Sequence, residues 1–151
     1  MAREILFRAK RLDNGEWIEG FLLKVTVLEK PFSFIFKDAF VYDGRDVKAA
    51  CRAVVDDDTV GQYTGRVDKH GKRVFEGDII RLCDGIPGFD VGVVLWDNND
   101  QAYRIVQNPA ENVALDDFGN YGQPEYYEVI GNVYDNPELL GSERRGNSHG
   151  A

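Results

Sequence analysis

Residues that carry chemistry are scarce in this chain. Of 151 residues, only two are cysteine and two are histidine. Cys51 and Cys83 lie far apart and neither has a Cys-x-x-Cys partner, so both are expected to be reduced, half-buried strand residues rather than a redox pair. With only His70 and His149 beside them, a metal site lacks ligands at a suitable spacing. Long apolar runs are missing too. Crossing a bilayer takes roughly 18 such residues, and the longest candidates, Phe21 to Leu28 and Phe32 to Phe36, are broken or bounded by Lys24, Glu29, Lys30 and Pro31. The opening MAREILFRAK holds no apolar signal core, which leaves a cytoplasmic location and no membrane association as the expectation.

Positive charge runs out along the chain. Residues 1–50 carry nine Lys/Arg and eight Asp/Glu, whereas residues 84–151 carry three and twelve, out of a net charge of −8. That acidic half would repel a phosphate backbone, so nucleic-acid binding is disfavoured. It would be sought at a small basic face of Arg3, Arg8, Lys10 and Arg11, or at a basic hairpin made by Arg66, Lys69, Lys72 and Arg73.

Catalytic motifs fare no better. Ser33, Ser142 and Ser148 have no nucleophile-elbow context, and neither cysteine has a neighbouring histidine. Gly61 to Gly65 lacks the Gly-Lys-Ser/Thr ending of a phosphate loop. The run Asp56-Asp57-Asp58 suggests a hard-cation site, but consecutive strand side chains alternate faces and do not converge, so a solvated acidic turn is the expectation. Asp97 to Asp100 reads the same way, as turn chemistry. No catalytic residue, cofactor or metal is assigned.

What is present is a foldable β chain. The 43% hydrophobic and 12% aromatic content is enough to bury a core. Glu4 to Lys10 and Glu16 to Lys24 read as a hairpin closed by a type I′-like turn at Leu12-Asp13-Asn14-Gly15. Pro31 is expected to separate it from an aromatic-rich strand, Phe32 to Phe40. Ala49 to Val55 fits a strand or a helical turn. Thr59 to Ile80 reads as strand, hairpin tip at Lys69-His70-Gly71, a tight corner at Glu76-Gly77-Asp78, and a new strand, which is the grammar of strongly bent sheets. Asp84 to Asp90 reads as a loop, Val91 to Trp96 and Ala102 to Val106 as a hairpin, Ala110 to Phe118 as a short helix, Tyr126 to Tyr134 as the last strand, and Asn136 to Leu140 as a helical turn.

The expected class is therefore mainly β, a β-rich α+β arrangement of small, bent, barrel-like antiparallel sheets with one or two short helices. A single domain over 1–140 would comprise an N-terminal hairpin lobe of about 1–55 and a barrel-like lobe of about 59–140, with 141–151 a disordered tail. Trp17, Phe21, Val60, Tyr63, Ile79, Val93, Leu95, Trp96, Val129 and Ile130 are expected in the core. Gly15, Gly61, Gly71, Gly77 and Gly131 are expected at turns, bulges or tight crossings.

Four stretches together carry a resemblance. The opening Arg3 to Ala9 (REILFRA), the central Thr59 to Gly65 (TVGQYTG), Asp68 to Ile80 (DKHGKRVFEGDII) and the closing Glu128 to Leu139 (EVIGNVYDNPEL) resemble, in this order and spacing, the YopX-like proteins of bacteriophages and prophages. The likeness runs from about Arg3 to Leu140, and Leu28 to Val55 carries none of its motifs. It implies a mostly β fold and a phage or mobile-element origin, but no known activity.

Tyr121, Tyr126, Tyr127 and Tyr134 cluster late in the chain. Tyrosine, with a dry ring and a wet hydroxyl, is common at interaction surfaces. The expected function is thus a non-enzymatic protein-interaction module with a protein partner, a second copy included. The alternatives are a nucleic-acid-associated replication or regulatory protein using the basic hairpin, and an enzyme whose site is assembled only in three dimensions.

Overall fold

A computed structural model describes residues 4–42, 44–86, 89–108, 113–117 and 126–140, with the backbone alone described along 38–42, 47–50, 83–86, 89–90, 108 and 113–117. The chain divides into two compact units, Met1–Tyr63 and Thr64–Ala151. Eleven strands are assigned among the described residues: β1 Phe7–Lys10, β2 Trp17–Val27, β3 Lys30–Tyr42, β4 Val47–Val55, β5 Gly61–Val67, β6 Arg73–Phe75, β7 Asp78–Ile86, β8 Phe89–Asp97, β9 Ala102–Asn108, β10 Val113–Asp117 and β11 Tyr127–Asn132. The fold is mainly β, in antiparallel sheets that do not close into a barrel.

In the first unit the strand order is β4-β3-β2-β1-β5. The first hairpin forms as expected, but its turn is not type I′. Gly15 alone takes a positive φ, +72°, while Asn14 uses its side-chain oxygen to accept from the Glu16 N–H at 2.9 Å. A second, longer hairpin was not foreseen. β2 continues to Val27, turns through Leu28 and Glu29, both at positive φ, and returns as β3 with Val27 opposite Lys30. Pro31 does not break it. In a two-residue hairpin the pair flanking the turn exchanges both hydrogen bonds, so the next pair, Thr26–Pro31, needs none between its strands. Ala49 to Val55 resolves as strand β4.

Alternation along these strands sorts side chains onto two faces. Ala9, Ile18, Ile35, Ala53 and Val55 form the buried cluster of this unit, with Phe7, Leu22 and Val60 packed against it. The three Asp residues resolve into a 3-10 turn, Asp57–Thr59, capped by Asp56, whose carboxylate accepts from the Asp58 N–H. Asp57 accepts from the buried Ser33 hydroxyl at 2.6 Å, and Lys24 lies 3.4 Å away. The hydroxyl first, and then Lys24, outweigh the upward push of burial and hold the Asp57 carboxyl below the ordinary range. This is turn chemistry.

In the second unit the order is β10-β9-β8-β7-β11, and the end of β5 lies beside β6. Ile79 and Ile80 point to opposite faces of β7, yet both are fully buried. One face packs Ile80, Leu82, Val94 and Ile105 with Val74 and Tyr127. The other packs Ile79, Val91 and Val93 with Ile130, Val133, Leu139 and Leu140. The last two belong to the helical turn after Pro137, which forms as expected.

Four further expectations are corrected. Residues 113–117 of the proposed helix form β10, paired with β9 through two register shifts. The Asp84 to Asp90 loop is largely strand, since β7 runs to Ile86 and β8 starts at Phe89. Phe21 and Trp96, expected in the core, are 49% and 41% exposed. Cys51 is exposed rather than half-buried, while the side chain of Cys83 and the 141–151 tail lie outside the described residues.

Candidate interaction surfaces

The hairpin from β5 to β6 is built on one carboxylate. Asp68 is buried, and its Oδ1 accepts from the backbone N–H of His70 and of Lys72, each at 2.9 Å. Its Oδ2 accepts from the Val129 N–H of β11 at 3.0 Å. Burial is the largest single influence on this group and pushes its pKa up, but the three amides and His70 outweigh it, so the carboxyl is held below the ordinary range. One side chain thus shapes the tip and ties it to the last strand.

The tip's basic residues follow from that tie. Lys69 Nζ lies 3.0 Å from Glu128 on β11, and His70 Nε2 lies 3.6 Å from the same carboxylate. Lys69 is therefore committed within the unit rather than projecting as part of a basic rim. Lys72 and Arg73 are exposed, and Arg66 is half-buried. The four basic residues share a hairpin, and of them Lys69 is paired with Glu128.

The tyrosine cluster also separates. Tyr126 and Tyr134 are exposed, while Tyr127 is 1% exposed. The Tyr127 hydroxyl donates to the Val67 carbonyl at 2.7 Å, so this ring is a core residue and drops out of any surface. Tyr121 lies outside the described residues. We expect Tyr127→Phe to lose about 1 kcal/mol, one buried hydrogen bond with the ring retained, measurable as a shift of the urea midpoint. At the far hairpin, the Asp97 to Asp100 run is again a turn. Asp97 and Asp100 pair with Arg104, and Asn98 accepts from the Trp96 indole at 3.1 Å.

A more extensive surface lies on the long hairpin of the first unit. Phe21, Leu23, Val25 and Val27 of β2 alternate onto one face, opposite Phe36, Phe34, Phe32 and Lys30 of β3, with Val54 of β4 beside Phe34. The core cluster uses the opposite face. Phe21, Leu23, Val27, Phe32 and Val54 are all exposed, and Leu28 at the tip is 92% exposed. Towards the tip the usual pattern inverts, with Lys24, Thr26 and Ser33 on the core-side face and apolar residues on the outer one. At its base the outer face ends in Trp17, under Arg8 and Lys10 at 4.8 and 5.6 Å from the ring centre.

These side chains present on the order of 500 Å² of accessible surface, at the upper end of the apolar patches monomers carry. The signal is present in the alternation of Phe21 to Val27 and Phe32 to Phe36, of which only Phe21 is expected from sequence to pack, and in the core. Among the described residues, no three His, Cys, Asp or Glu side chains are grouped to hold a metal ion, and no helix is long and apolar enough to cross a membrane.

A solved structure has a similar fold. The crystal structure of protein EF1440 from Enterococcus faecalis superposes with a TM-score of 0.57 at 20% identity, covering 92% of this chain and 99% of that one. At that identity the likeness speaks for the fold. No curated protein matches. The YopX protein family matches residues 6–141, which span both hairpins and the last strand, and the chain belongs to that family.

Proposed function

We propose that this YopX family member is a non-enzymatic protein-interaction module, encoded by a phage or prophage and acting in the host cytosol. One observation carries the reading: the outer face of the β2–β3 hairpin is regularly apolar and is exposed at Phe21, Leu23, Val27 and Phe32. A strand pattern this regular, placed away from the core, is a local conflict of the kind that marks function. Tyr126 and Tyr134, both exposed, offer a smaller secondary surface in the other unit.

The test compares tagged wild-type and Leu23→Glu chains as baits in nuclease-treated and untreated lysate of prophage-carrying cells. Leu23 is 47% exposed, so the change spares the core. We expect at least one protein to be retained by wild type and lost with the variant. Equal recovery by both baits would remove this face from the reading. Recovery that disappears with nuclease alone would move the weight to nucleic acid.

A further inference from the structure

Resting on the interaction-module reading, we infer that the occupant of the β2–β3 face is the same face of a second copy of this chain, stacked across a two-fold axis. Three features of the face favour a copy over an unrelated partner.

The first is symmetry of composition about one point. Along β2 the outer residues run Glu19, Phe21, Leu23, Val25, Val27, and along β3 they run Lys30, Phe32, Phe34, Phe36. A two-fold axis lying between the stacked sheets, perpendicular to the strands at the Leu23–Phe34 pair, reverses this order in the second copy. Leu23 then meets Leu23, Phe34 meets Phe34 and Phe21 faces Val25, while Phe36 is buried within its own copy and takes no part. Apolar side chains meet apolar ones along the exposed part of the arm, as in sheets stacked about 10 Å apart.

The second is charge. The same operation puts Glu19, at the base of one arm, over the Val27–Lys30 pair at the tip of the other. A carboxylate and an ammonium come together at both ends of the stack, and by symmetry the contact occurs twice. The two charges stand on the same face as the apolar row, at its opposite ends.

The third is area. With on the order of 500 Å² from each copy, complete coverage of the exposed apolar side chains would approach the roughly 1,000 Å² a specific interface must clear. The half-buried Val25 and Phe34 lie within the same footprint and add to it.

Sedimentation of the purified chain across about 1–100 μM tests this, with far-ultraviolet circular dichroism as a check on folding. We expect wild type to dimerise, and Leu23→Glu, folded, to be monomeric over the whole range. Glu19→Lys alone and Lys30→Glu alone should each raise the dimer Kd at least about tenfold, and the double exchange should restore it. A monomeric wild type overturns the inference. So does a dimer indifferent to Leu23→Glu, and failure of the double exchange overturns the two-fold register. A monomeric wild type whose lysate partners are still lost with Leu23→Glu would sink the self-pairing and leave the interaction module standing. Loss of neither dimer nor partner with that variant would sink both.

Discussion

Replacing Asp68 by Ala should cost the Thr64–Ala151 unit about 4 kcal/mol, because three part-buried amides lose a charged, buried acceptor at once. Those of His70 and Lys72 shape the hairpin tip, and that of Val129 ties the tip to β11. The tip would lose both its shape and its anchor. Asp68→Asn should cost less, about 2 kcal/mol, since one oxygen remains while the new amide group faces a donor. Each unit holds one tryptophan, Trp17 in the first and Trp96 in the second. Urea unfolding followed at Trp96 in a Trp17→Phe background isolates the effect, and an Ala variant within about 1 kcal/mol of wild type would show that water replaces the carboxylate. The pH dependence has a definite sign. Because the folded-state pKa is lowered, this group's contribution is fully present above the ordinary Asp value and is lost as pH falls through the folded value. The Asn variant should lack that part of the acid limb.

Gly20→Ala should be the most damaging single change in the first unit. A Cβ at this position would lie 2.0 Å from the Phe36 carbonyl oxygen and 2.7 Å from its carbon. Backbone cannot move aside as a flexible side-chain end can, so β2 and β3 must separate where the long hairpin leaves the core. A loss of about 3 kcal/mol or more is expected, followed at Trp17 in a Trp96→Phe background. A midpoint unchanged from wild type would mean that the crossing yields without cost.

How far the sequence reveals this fold depends on which interactions decide each element. The β1–β2 hairpin and the His70 tip were legible because Asn14, Gly15, Asp68 and Gly71 act locally. The strand at 113–117 was not. Its alanine and leucine suit a helix, and only pairing with β9, which ends four residues before it, makes it extended. The Leu28-Glu29 turn was hidden for a different reason. Neither residue favours positive φ, and Pro31 looked like a break until its place opposite Thr26 was known. Phe21 and Trp96 show the remaining gap. Alternation tells which residues share a face, but not which face is covered. The candidate site lies in that gap, because its residues look like core.

Pro31 also limits how this chain can grow. β3 runs past the last β4 partner of Ser33, and along that overhang the backbone group turned away from β2 belongs to Pro31. A proline has no N–H to offer an incoming strand there. The arm carries two aromatic, β-prone segments, the composition that otherwise seeds open-ended stacking of strands. With Lys24 and Lys30 as charged gatekeepers and Pro31 closing that edge, this stretch of β3 can be covered but not extended. Pro31→Val would restore the missing donor, and its signature would be slow, concentration-dependent fibril growth rather than a change in folding.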